Sequence, residues 1–95
     1  MTASIKSVHV IISGRVQGVW FRAWTQKKAM ALGLTGWVKN RPDGKVEALF
    51  SGPTDQVETM LKNCQKGPPL ARVDSIEQSP ADAPESSEFS LLRPD

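Results

Sequence analysis

The hydrophobic pattern of this chain switches repeatedly between the two-residue period of a strand and the 3.6-residue period of a helix, and the order of those switches limits its possible folds more than any single residue does. Val8, Val10 and Ile12 alternate with His9, Ile11 and Ser13, the spacing of a strand with one face turned inward. Phe21, Thr25, Ala29 and Leu32 then recur at helical spacing within Trp20 to Leu32. Gly33 closes that helix as a left-handed cap, and apolar Leu34 just beyond it packs back on the last turn. Thr35 to Asn40, holding Trp37 and Val38, reads as a short strand. Arg41-Pro42-Asp43-Gly44 places proline at the second turn position and ends in a glycine able to take positive φ, which is a hairpin signal, and Val46, Ala48 and Phe50 form the inward face of the returning strand.

Gly52-Pro53 is expected to open a second helix, with proline in the first turn where its missing N–H matters least. Val57, Met60, Leu61 and Cys64 mark its apolar stripe, and Gly67-Pro68-Pro69 stops it. Cys64, on that stripe, reads as a small core residue rather than a nucleophile. A weaker strand follows over Arg72 to Gln78, Ser79 to Ser87 reads as a surface loop, and Phe89 to Arg93 makes a last short strand. The order is β-α-β-β-α-β plus one strand. It predicts an α+β, ferredoxin-like split βαβ sandwich with two helices on one face of an antiparallel sheet and an extra C-terminal strand.

At 95 residues the chain is expected to form a single domain over 1–95. No apolar run approaches the length of a membrane span, MTASIKS lacks the order of a secretory signal, and a lone cysteine cannot form an internal disulfide. These features point to a cytoplasmic setting. The charge is uneven. Residues 1–45 carry Lys6, Arg15, Arg22, Lys27, Lys28, Lys39, Arg41 and Lys45 against Asp43 alone, whereas the acids gather in the second half. Either the basic half clusters in space and attracts an anion, or the fold interleaves the halves into ordinary solvated faces.

The catalytic inventory is short. His9 is the only histidine and lies in the first strand, so a histidine triad requires that one residue to reach a site. One cysteine and one histidine give no spaced ligand set for a metal. No phosphate-binding Walker motif, dinucleotide fingerprint or nucleophile elbow is present. What remains is Gly14-Arg15-Val16-Gln17-Gly18-Val19-Trp20-Phe21-Arg22, a strand running through a two-glycine loop into a helix N-terminus. Backbone N–H groups there can converge on one anion, the helix dipole adds partial positive charge, and Arg22 in the first turn supplies a planar fork for two phosphate oxygens. The alternative is plain chain reversal.

This segment resembles the first signature of the acylphosphatase family, and Gly36-Trp37-Val38-Lys39-Asn40-Arg41-Pro42-Asp43-Gly44-Lys45-Val46-Glu47 resembles the second. Leu32-Gly33-Leu34 and Gly52-Pro53 match as well, so the resemblance covers nearly the whole chain, with residues 68–95 least distinctive. It implies a hydrolase that cleaves acyl phosphates to a carboxylate and inorganic phosphate. Gly14, Arg15, Val16, Gln17, Gly18, Val19 and Trp20 would form the phosphate-binding loop, Arg22 would hold the phosphoryl group, and Asn40 would position the attacking water. Trp20 stands at a position that varies within the family. The implied partners are an acyl phosphate substrate and inorganic phosphate as product and inhibitor, with no cofactor, metal, nucleic acid or membrane, and with the chain acting as a monomer.

The chemistry suits the short inventory. A mixed anhydride carries a good carboxylate leaving group and needs no general acid, and an amide can orient water but not deprotonate it, leaving a phosphate oxygen as proton acceptor. Two rivals stand beside this reading. One is a small RNA- or anion-binding ferredoxin-like module, although Trp20, Phe21 and Trp24 fall in the loop or helix rather than on central strands. The other is the acylphosphatase-like module of a larger carbamoyl-transfer protein.

Overall fold

The computed structural model describes residues 4–93, so both ends of the expected 1–95 domain, including the first three residues of MTASIKS, lie outside the described residues. The alternation at the N-terminus becomes β1 (Ile5–Arg15), with Val8, Val10 and Ile12 buried and His9 and Ile11 on the opposite face. Then follow α1 (Phe21–Ala31), β2 (Thr35–Asn40), β3 (Val46–Pro53), α2 (Thr54–Lys66), β4 (Arg72–Pro80) and β5 (Phe89–Leu91). The sheet order is β4-β1-β3-β2-β5. Both helices pack on one face, α1 over β2 and β5 and α2 over β3 and β4.

The inward residues meet in one core. Phe21 and Ala29 of α1 and Val57, Met60, Leu61 and Cys64 of α2 cover Val38, Val46, Ala48 and Phe50 of the sheet. Phe50 and Phe89 stack with centroids 5.7 Å apart, tying the last strand to the centre. Full burial of a side chain such as Phe21 or Phe50 contributes about 1.5–3 kcal/mol. Burial also pushes the Cys64 thiol up to about 12, so it is an inert core residue, as its place on the stripe predicts. Helix α1 ends as expected: the Leu34 N–H bonds to the Ala29 carbonyl at 2.9 Å and the Gly33 N–H to that of Met30 at 3.0 Å, the paired bonds of a Schellman cap.

The structure departs from the sequence reading in several places. Gly52 and Pro53 belong to β3, opposite Lys6 and Ile5, and the second helix begins at Thr54. Pro53 has ψ 135°, an extended conformation, so it caps the helix from outside instead of entering its first turn. Strand β4 runs on to Pro80, because β1 is long enough to pair Val8 with it, which takes Ser79 and Pro80 out of the expected loop. The final strand stops at Leu91 and pairs with β2 in parallel, so the sheet is mixed and not wholly antiparallel. The chain leaves β4 at the end of the sheet where β2 begins. Its connection, 81–88, crosses four strand spacings, about 19 Å, within the roughly 26 Å it can reach, and enters β5 in the direction of β2.

No described helix is long and apolar enough to cross a membrane. The charged halves interleave for several residues: Lys6 pairs with Glu58 at 2.8 Å, and Lys39 and Arg41 both approach Glu47.

Candidate active site

The C-terminal ends of β1, β2 and β5 lie at one end of the sheet, where α1 also begins. The connection from β1 to α1 occupies that corner. Its apolar residues, Val16 and Val19, are buried and anchor it to the core. Gly18 between them takes φ 73°, the left-handed region that disfavours a side chain. A Cβ there would meet nothing within 4 Å, so the glycine serves the turn and leaves the space above the loop open. Gly14 serves a different purpose. It sits at a bulge in β1 where the register with β4 shifts, and a Cβ would lie 2.1 Å from the Arg72 carbonyl oxygen.

A cleft of about 440 Å³ opens between this loop, the first turn of α1 and the end of β2. Val16, Gly18, Trp20, Arg22 and Asn40 line it together with Phe21, Ala23 and Leu91. Of the residues expected to hold phosphate, Gly14 and Arg15 end β1 against Val73 and Arg72, and Gln17 and Val19 support the loop from outside the cleft. Trp20 has φ 65° and ψ 19° and is the residue at which the chain enters the helix.

The electrostatics favour an anion. Helix α1 has no acidic residue in its first turn, and its first internal bond runs from the Trp24 N–H to the Trp20 carbonyl at 2.9 Å. The N–H groups before Trp24 are therefore free of helical partners and point out of the N-terminus toward the cleft. Among the described residues no carboxylate lines the cleft and none pairs with Arg22. Asn40, half-buried at the last pair of β2, has an amide oxygen shielded from solvent with no hydrogen-bond partner. A buried, unsatisfied acceptor is unfavourable by about 1–3 kcal/mol, so its persistence at the cleft suits a site that binds a donor.

Two features are absent from the sequence signals. The Gln17 side chain has a task beyond the loop backbone: its amide nitrogen donates to the Arg41 carbonyl at 2.8 Å and the Lys45 carbonyl at 2.9 Å. It clamps the loop to the β2–β3 hairpin, directly after Asn40. The other is a polar cluster on the sheet face away from the helices, where His9 bonds to Glu47 at 2.6 Å and Lys39 stands 5.6 Å from the centre of the Trp37 ring. The alternation of β1, β2 and β3 already places His9, Trp37, Lys39 and Glu47 on one face, but only the register sets them side by side. His9 thus lies on the far face from the cleft. Among the described residues no group of three or more His, Cys, Asp or Glu gathers in a way that could hold a metal.

A family model described as acylphosphatase matches residues 8–91. An acylphosphatase of Rhodospirillum rubrum is 56% identical over 86 residues, covering 90% of this chain and 94% of that protein. One from Methylococcus capsulatus is 50% identical over 90 residues, covering 94% and 98%. Among solved structures, an acylphosphatase from Coxiella burnetii superimposes with a TM-score of 0.88 at 38% identity, covering 93% of each chain.

Proposed function

This chain belongs to the acylphosphatase family and is a hydrolase of acyl phosphates, and from that premise we propose that Arg22 and the loop N–H groups hold the phosphoryl group while Asn40 positions the attacking water. The observation that carries this reading is that one cleft holds Arg22, free of any carboxylate partner among the described residues, and Asn40, whose amide oxygen is buried and unsatisfied. The Asn40 side-chain amide, which lines the cleft, holds the water and so aims its lone pair at phosphorus. The new O–P bond forms as the anhydride P–O bond breaks, and the electron pair leaves with the carboxylate. The water proton passes to a phosphoryl oxygen, because among the described residues no histidine or carboxylate lines the cleft. Positioning contributes up to about 7–11 kcal/mol in favourable intramolecular models. Each donor aimed at transition-state charge adds about 3–4 kcal/mol. Such contributions suffice for an activated substrate without metal or covalent intermediate.

Inorganic phosphate, as product, occupies the same cradle and inhibits competitively. The same reading takes the chain as a single-domain monomer, and as cytoplasmic from its lone cysteine. The test is hydrolysis of an acyl phosphate in the presence of chelator. Arg22→Ala loses turnover and phosphate inhibition together, and Arg22→Lys recovers little because a point charge does not replace the planar fork. Asn40→Ala loses turnover but keeps phosphate inhibition. If Asn40→Ala weakens phosphate as severely as Arg22→Ala does, the division between anchor and water-holder is wrong. Activity that vanishes with chelator and returns with magnesium overturns the metal-free mechanism.

A further inference from the structure

Arg22, Asn40 and the loop N–H groups account for the phosphoryl end of a substrate, but most of the remaining lining of the cleft is apolar. Trp20 is 79% exposed and Leu91 41% exposed, and both line the cleft with exposed Ala23. Leu91 is brought there by the parallel pairing of β5, which sets it opposite Val38, on the sheet face that also carries Asn40. Trp20 is the unexpected member. It is the only non-glycine residue with positive φ among those described, a conformation that is unfavourable for a bulky side chain and free for glycine. Its ring lies outside the core cluster, whereas Phe21 and Trp24 beside it pack edge to face at 5.4 Å. The fold makes no use of this indole, and the cleft does.

We propose that Trp20, with Leu91 and Ala23, forms an acyl subsite that makes the enzyme select aromatic and extended apolar acyl phosphates over acetyl phosphate. The inference rests on the acyl phosphate reading above and adds the carbon side of the substrate. A volume of about 440 Å³ exceeds the needs of a phosphoryl group alone and falls within the range of about 300–1,000 Å³ of small-ligand clefts. Among the described residues Arg22 is the only cation lining it, so with that charge engaged by phosphate a second anionic group on the acyl chain finds no counter-charge there. An indole has few rotatable bonds, and ordering it against an aromatic ring costs little conformational freedom.

The experiment compares kcat/KM for benzoyl phosphate and acetyl phosphate in the parent and in Trp20→Gly, Trp20→Phe and Leu91→Ser, each checked for folding by circular dichroism. The ratio of the two constants is the readout, because any shared loss at the phosphoryl end cancels. The parent favours benzoyl phosphate, Trp20→Gly lowers that ratio about tenfold, Leu91→Ser lowers it less, and Trp20→Phe retains most of it. A second readout needs no turnover: benzoylphosphonate inhibits the parent more strongly than acetylphosphonate, and the two converge in Trp20→Gly. Hydrolysis of both substrates with a ratio unchanged in Trp20→Gly and Leu91→Ser overturns the subsite and leaves the phosphoryl mechanism standing. A parent that hydrolyses neither overturns both.

Discussion

Replacing Gln17 by alanine deletes none of the groups proposed to touch substrate and removes only the clamp between the loop and the hairpin that follows Asn40. The side chain is half-buried and donates two hydrogen bonds, at 2.8 Å to the Arg41 carbonyl and 2.9 Å to that of Lys45. At about 0.5–1.5 kcal/mol net for each bond, Gln17→Ala destabilises the fold by about 1–3 kcal/mol. For a domain of this size the middle of that range lowers Tm by roughly 8–16 °C. Gln17→Glu is worse, because a carboxylate has no proton to donate and faces two carbonyl oxygens. Catalysis suffers separately. Arg22 rides on α1 and keeps its place, whereas Asn40 loses its tie to the loop, and a displacement of about 1 Å at a reacting group lowers rate by about a hundredfold. Thermal melting together with kcat and the phosphate inhibition constant decides the matter. The expected result is a lower Tm, a kcat reduced between tenfold and about a hundredfold, and phosphate affinity nearly unchanged. A variant that melts within about 2 °C of the parent refutes the stability estimate, and one that is destabilised yet keeps its kcat refutes the positioning role.

Hydrolysis in heavy-oxygen water is expected to place the label in the released phosphate, because the proposed mechanism assigns Arg22 and the loop N–H groups to the phosphoryl end; label found mainly in the carboxylic acid means attack at carbon. Cys64, held near 12 by burial, resists thiol reagents at mildly alkaline pH and reacts only as the protein unfolds in urea; fast labelling of the native protein contradicts this. The Lys45 backbone N–H, and then the charge of Arg41, hold the Asp43 carboxyl below its ordinary value of 3.8. Its stabilisation is therefore present above the unfolded value and is lost as pH falls through the folded one. Asp43→Asn should narrow the stability gap to the parent as the pH is lowered, and a gap in urea midpoint that widens toward acid pH has the wrong sign.

Much of this architecture is legible in the sequence because its signals are local. The alternation at Val8 to Ile12, the cap at Gly33 and the turn at Arg41 to Gly44 each rest on neighbouring residues, and each appears as expected. The candidate cleft is legible in the same way, since Arg22 stands a short loop after β1 and Asn40 at the end of its strand, and both line it. What the sequence hides depends on partners distant along the chain. Pro53 looks like a helix opener until Ile5 pairs with it. The direction of β5 cannot be read from three residues, because direction is set by which end of the sheet the chain has just left. The Gln17 side chain finds its partners only when the hairpin closes against the loop, a contact no local signal announces.

The position of β1 between β3 and β4 bears on how the enzyme comes into being. The strand that delivers the chain into the phosphate loop is made before the other described strands, yet its partners lie far along the chain: Ile5 pairs with Pro53 and Val8 with Pro80. During synthesis β1 emerges with both edges open and must wait for most of the chain before its second edge is covered. The β2–β3 hairpin closes locally, but covering the second edge of β1 requires a far longer loop, the kind of non-local pairing that slows the folding of small domains. The loop and the start of α1 inherit that delay. A nascent chain can carry its whole phosphate signature out of the ribosome and remain without its finished cleft until β5 brings Leu91.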